Sequence, residues 1–217
     1  MLMNLKDYFR LLHLPTTSCI LALGVIGSTC APVSYLDRLL CVLLILCLIG
    51  GIAANYFDET QGRPWRTAIP KKHLWIIGTV SSFAAILIGI YLMLTVSWWF
   101  WIFIVLWEFL TLTYDLELFN GRFHNTTCIA LSWGAICLGS YFIQSITVTP
   151  LILVVSFIAG CIAGQGRNLY EKAKSFYKDK NPSSSVTSRH AWTLLKALIV
   201  FIDIDAIMML VWRLFGN

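Results

Sequence analysis

Apolar runs of about 20 residues recur along this chain with few charges inside them, and no other feature limits its fold as strongly. A run of that length crosses a hydrocarbon core of roughly 30 Å as a helix. Backbone groups in lipid must be bonded within their own segment, so each run predicts a helix. The runs are continuously apolar rather than alternating, which argues against a transmembrane barrel. Composition agrees. Of 217 residues, 58% are hydrophobic and 12% charged, with mean hydropathy +0.76, whereas soluble domains carry about 25% charged residues. The chain reads as an all-α, polytopic transmembrane helical bundle, a single domain over residues 1–217.

The runs place about seven spans, near 15–32, 36–55, 74–95, 97–114, 126–145, 147–167 and 190–214. Ahead of them, Leu5, Tyr8, Phe9, Leu11 and Leu12 oppose Lys6, Asp7, Arg10 and His13, a pattern for a short interfacial helix leading into the first span. A signal peptide fits poorly, because Asp7 would lie in its basic region and another span follows directly. Links at 33–36, 95–97 and 145–148 are short and uncharged, whereas those at 55–73, 115–125 and 168–190 are long and charged. Thirteen of the sixteen Lys and Arg residues fall with the charged links and the N-terminal helix. That excess marks the cytoplasmic side, with the N-terminus inside and, for an odd count, the C-terminus outside. The net charge of +5 therefore reports topology, and no nucleic-acid partner is expected. The seven cysteines lie in or at the ends of apolar runs without a CxxC pair and read as small buried hydrophobes. The second and sixth spans both end in polar basic loops. This placement suggests two structural repeats, about 1–114 and 115–217, the second incomplete.

Chemistry concentrates in the first of those loops, Asn55 to Lys72. Asp58 and Glu59 offer hard oxygen ligands suited to Mg²⁺, which keeps several waters and bridges to substrate phosphates. Asn55 lies one turn before Asp58, so on a continuing helix the two face one way. Arg63, Arg66, Lys71 and Lys72 can hold phosphate oxygens, Arg by a bidentate fork and Lys as a point charge. The plain alternative is a basic inner loop behind helix-end carboxylates. Glu108, Asp203 and Asp205 lie within spans. Such carboxylates are functional candidates or bonded structural groups, with Lys196 and Arg213 as possible partners for the two aspartates. Trp98, Trp99, Trp101 and Trp107, with Phe100 and Phe103, read mainly as an aromatic belt.

Asn55-Tyr56-Phe57-Asp58, then Arg63-Pro64-Trp65-Arg66 and Ile69-Pro70, resemble the first aspartate-rich signature of the UbiA superfamily of intramembrane prenyltransferases. The resemblance extends to Tyr114, Arg122 and Asn125 after the fourth span and to Lys6–Leu14. It implies a bundle around a central cavity, with two Asp-rich loops binding Mg²⁺ and a prenyl diphosphate at the cytoplasmic side. Ionisation of the allylic C–O bond then gives a carbocation that an aromatic or lipid acceptor captures. By this resemblance Asp58, Asn55 and Tyr114 are the catalytic candidates. Arg63, Arg66, Arg122, Asn125, Arg167, Asn168, Lys172 and Lys174 would bind the diphosphate, and Asp58, Glu59 and Glu171 the metal. The chain departs from the pattern at Ala54, Asn55 and Gln61, and its second loop holds only Glu171 and Asp179 as acids among lysines. Lys172, Lys174 or Lys178 would then replace a second metal's charge. Two other functions stay open: a UbiA-type terpene cyclase, and a non-catalytic lipid-binding or scaffold subunit. The family's bundle usually has about nine spans, so a second copy or a partner chain is expected to complete this one.

Overall fold

The computed structural model describes residues 5–175 and 182–216, with side chains over 5–174 and 189–216. Lys178, Asp179 and Lys180 lie outside the described residues. The described chain is helical, with no strand in it. Helix α1 spans Leu5–Leu11 and α2 Leu14–Thr29; α3 (Leu36–Leu46) continues through a π-helical stretch, Cys47–Ala53, into α4 (Ala54–Thr60). Then come α5 (Lys71–Thr95), a 3₁₀ turn at Trp98–Phe100 leading into α6 (Trp101–Asp115), α7 (Thr126–Ser145), α8 (Pro150–Ser175) and α9 (Pro182–Phe215).

Helices thus stand at each predicted run. Among the described residues, four are long and apolar enough to cross a membrane: 36–60, 71–95, 126–145 and 150–174. A fifth arises if α1 and α2, bent by 41° at left-handed His13, count as one span. The other two predicted spans fall short on length or charge. α6 has only 15 residues, and α9 carries Lys196, Asp203, Asp205 and Arg213.

Helix α2 packs against α7, α9 and α3, and its residues Cys19, Ile20, Leu23 and Val25 meet Leu46, Ile136 and Cys137 in the main core. Small residues let the backbones approach. A Cβ on Gly27 would strike the carbonyl of Cys137, one on Gly160 would lie 2.5 Å from the carbonyl oxygen of Ala130, and one on Gly134 2.8 Å from that of Ser156. The α2–α7 and α7–α8 seams depend on those absent methyls.

At one end of the bundle, arginines satisfy helix C-termini that lack intrahelical partners. Arg38 donates to the carbonyls of Ile143 (3.0 Å) and Gln144 (3.3 Å). Arg213 donates to those of Ala31 (2.6 Å) and Pro32. Asp203 instead accepts from Ser18 Oγ at 2.9 Å, so neither Lys196 nor Arg213 is its hydrogen-bonding partner. Glu108 accepts from Ser82 Oγ at 2.5 Å between α6 and α5. Trp98, Trp99 and Trp101 are exposed, as a belt requires, whereas Phe100, Phe103 and Trp107 are core.

Candidate functional site

A cavity of about 350 Å³ opens between α2, α4, α6, α7, α8 and α9. Most of its wall is apolar, including Ile20, Leu46, Ile49, Leu110, Ile136, Ile162 and Ile199. At one end its polar groups come from α4 (Asn55, Asp58), the last turn of α6 (Tyr114, Asp115) and the C-terminal part of α8 (Arg167, Tyr170). His13 and Trp65, with rings 4.5 Å apart, complete this end.

Local sequence explains why Asp58 faces inward. Gly50 and Gly51 sit in the π-helical stretch, where an added Cβ would lie 2.9 Å from Ile20 Cδ1 and 2.8 Å from Thr17 Cγ2. Wide turns of this kind rephase the helix that follows and occur often at functional sites. Asn55 bonds back into the stretch, donating to the carbonyls of Gly51 (2.8 Å) and Gly50 (3.4 Å). Asn55 and Asp58 share the cavity face, as their spacing predicts.

Glu59 points the other way and is fully buried. Its carboxylate accepts from the backbone N–H groups of Trp65 (2.9 Å) and Thr67 (2.8 Å) and from Thr67 Oγ1 (2.8 Å). The structure corrects its expected role: Glu59 anchors the 61–70 loop, with both oxygens engaged, and is not placed as a metal ligand. Arg63 is also spent on that loop, donating to the carbonyls of Thr67 (2.9 Å) and Ile69 (3.3 Å) from a left-handed backbone position. Asp7 of α1 accepts from the Ala68 N–H at 3.0 Å, and Tyr56 Oη donates to the Tyr8 carbonyl at 3.4 Å. The N-terminal helix therefore fastens the loop that carries Trp65.

The other expected ligands separate. Arg66 and Arg122 are exposed and do not line the cavity. Asn125 caps α7, accepting from the Cys128 N–H at 2.9 Å and donating to the Arg122 carbonyl at 2.8 Å. Asn168 accepts from Thr126 Oγ1 at 3.2 Å, tying α8 to α7. Lys172 and Glu171 are exposed on α8 away from the lining, with Glu171 electrostatically coupled to Arg167. Arg167 does reach the site. It donates to the His124 carbonyl at 3.1 Å and lies 5.1 Å over the Tyr114 ring, which stacks on His124 at 4.3 Å. Its other terminal nitrogen, Nη1, is buried and has no partner among the described residues. Lys174, 5.7 Å over the Tyr170 ring, interacts electrostatically with Asp58.

Asp115 joins this group without having been singled out from the sequence. It lines the cavity and couples electrostatically to Asp58. Among the described residues, neither carboxylate accepts a hydrogen bond from a side-chain or backbone donor. The available signal was positional: Tyr114-Asp115 ends one run much as Tyr56-Phe57-Asp58 ends another. No family model, curated protein or solved structure matches this chain. Among the described residues, no three His, Cys, Asp or Glu side chains gather as a metal cluster. The site is a carboxylate pair with flanking cations above an apolar chamber. Two half-buried carboxylates at one end of a cavity are relieved by a bound cation or by taking up a proton. Mg²⁺ takes one or two carboxylates together with water and substrate phosphate, so this pair fits a single Mg²⁺ better than a multi-carboxylate cage.

Proposed function

We propose that the chain is an intramembrane transferase that moves an isoprenyl group from a prenyl diphosphate to an acceptor. One observation carries the reading: a single cavity joins a long apolar wall to one polar end where Asp58, Asp115, Tyr114 and Arg167 converge. A ligand suited to it has an anionic head and a hydrocarbon tail. The resemblance of Asn55–Asp58 and Arg63–Pro70 to the UbiA signature supports the same choice, and the bundle would then have about seven crossings in two repeats.

Asp58 and Asp115 would hold Mg²⁺, replacing the set expected with Glu59 and Glu171. When bound, the ion supplies positive charge to the departing diphosphate. Arg167 presents an unpartnered guanidinium nitrogen for a phosphate oxygen. Lys174 adds a point charge near Asp58 in place of a second metal. Tyr114, stacked on His124 with the Arg167 guanidinium over its ring, would shape the polar end of the cavity beside the bound head group. The apolar wall keeps water from that carbon.

The test incubates purified protein with labelled prenyl diphosphates of graded length, Mg²⁺ and a panel of aromatic and lipid acceptors. Transfer predicts diphosphate release that requires an acceptor and is lost in Asp58→Asn. Release with a cyclic hydrocarbon and no acceptor would replace transfer by cyclisation. Absence of release and of binding at every chain length would leave a non-catalytic lipid-binding subunit.

A further inference from the structure

Helix α9 carries two aspartates about 200° apart around its axis, and their surroundings differ. Asp203 turns toward α2 and accepts from Ser18 Oγ at 2.9 Å. Asp205 turns away from the bundle and is exposed. It does not line the cavity, and among the described residues it makes no hydrogen bond or ion pair. Its electrostatic neighbour is the Cys30 thiol, which is no counter-ion. The cations of α9 are committed elsewhere. Lys196 lines the cavity with its ammonium 5.3 Å from the Trp192 ring, and Arg213 donates to the carbonyls of Ala31 and Pro32.

Depth makes this exposure costly. Ser18 lies near the start of α2, and Arg213 reaches past the last residue of that helix, Thr29. Along α9, Asp205 stands about 3 Å from Asp203 and about 12 Å from Arg213. Its carboxylate therefore lies within the thickness that α2 covers, at neither rim. Carboxylates at such a depth ordinarily face protein or a water-filled cavity. Asp205 faces neither in the single chain.

The surface around it has the form of a helix seat. Leu194, Phe201, Asp205, Met208, Trp212 and Phe215 recur at intervals of three, four or seven residues, which makes one stripe along α9. Its five apolar members are all more than half exposed. Lipid can cover those five but not the carboxylate. A two-fold contact between copies of this chain along the stripe would set Asp205 against Asp205, like charge against like charge. A helix with a cation at the matching depth answers both the apolar stripe and its charge.

We propose that this stripe seats a transmembrane helix of another protein, one carrying a Lys or Arg within its span opposite Asp205. The proposal requires α9 to cross the membrane and does not depend on prenyl transfer.

The probe is a Leu-Ala transmembrane peptide with one central Lys, compared with the same peptide carrying Leu there. Energy transfer between dye-labelled peptide and the full chain, reconstituted in phosphatidylcholine vesicles and diluted with lipid, gives the association. The Lys peptide is expected to associate about tenfold more tightly. In Asp205→Ala that preference should vanish while the weaker association of the Leu peptide stays, which shows that the seat is intact. Equal association of both peptides with the native chain, or a Lys preference that survives in Asp205→Ala, overturns the proposal. So does self-association of the native chain that Asp205→Ala abolishes, which would make a second copy the occupant. Asp205→Cys, in a Cys161→Ser background, should resist an impermeant maleimide in opened vesicles. Ready labelling would place the position in water and overturn the proposal through the crossing of α9 rather than through the pairing. Diphosphate release is read separately, and none of these outcomes bears on it.

Discussion

Asp58 and Glu59 are adjacent carboxylates with opposite surroundings. A helix separates neighbouring residues by about 100°, so one faces the cavity and the other the loop. Their replacements should therefore fail differently. Glu59→Ala strands two backbone N–H groups and a hydroxyl in a buried position. It should cost about 2–4 kcal/mol, read as a lower midpoint of thermal unfolding in detergent, with Glu59→Gln intermediate. Asp58→Asn and Asp115→Asn should leave that midpoint unchanged or raised, because each removes one of two half-buried carboxylates at the polar end of one cavity. Each should also lower Mg²⁺-dependent diphosphate release by about 100-fold or more. An Asp115→Asn protein with full activity would remove Asp115 from the site. Residue identity made Asp58 legible, because a carboxylate one turn after Asn55 at the end of an apolar run is an uncommon pattern. It left Glu59 ambiguous, since a loop anchor and a metal ligand are the same letter. Asp115 was hidden because its significance comes from a neighbour 57 positions away in sequence. Arg63, Asn125 and Asn168 are ambiguous in sequence for a related reason: a polar side chain that closes a loop or caps a helix looks like one that binds a ligand.

Helix pairing gives a second level of prediction. α7 and α8 meet where Gly160 faces Ala130 and Gly134 faces Ser156. Gly160→Ala places a methyl against backbone, which cannot move aside as a flexible side chain can. The helices must separate, at a cost of about 1–3 kcal/mol. Gly166→Ala on the same helix finds its nearest neighbours, Leu195 and Leu198 side-chain carbons, at 3.9 Å, so it should shift stability by less than about 0.5 kcal/mol. Paired unfolding measurements in one detergent check both, and equal effects would refute the close seam. The apolar runs announced the helices because lipid allows little else. Their partners were not legible: glycines at positions 134 and 160 declare a shared seam only once the backbones are placed. The π-helical stretch was also invisible, as Gly50-Gly51 reads equally well as ordinary small residues in a span.

Topology is the question for the whole molecule, and two closures support the proposed seven crossings beyond the four or five that length and composition give. α5 has 25 residues and is about 37 Å long, enough to carry the chain to the opposite face. Yet Asp115, at the end of α6, lines the same cavity as Asp58 of α4. The 15 residues of α6 and the 3₁₀ turn before them must therefore bring the chain back. On α9, Lys196 lines the cavity while Arg213 reaches the carbonyls of Ala31 and Pro32 beyond the end of α2. α9 thus runs the length of α2, and its charges are partly answered by Ser18 and by those carbonyls. The positive residues fit this path: Arg66 lies on the loop fastened by α1, whereas Arg38 and Arg213 sit at the far end, where helix C-termini use them. Single cysteines introduced for Arg66 and Val148, in a Cys161→Ser background, give the check. In intact cells an impermeant maleimide should label Val148→Cys and spare Arg66→Cys, and Arg66→Cys should react once the membrane is opened. A tag after Gly216 should be accessible with Val148→Cys. Labelling of the tag together with Arg66→Cys would mean an even number of crossings, and either α6 or α9 would then not span.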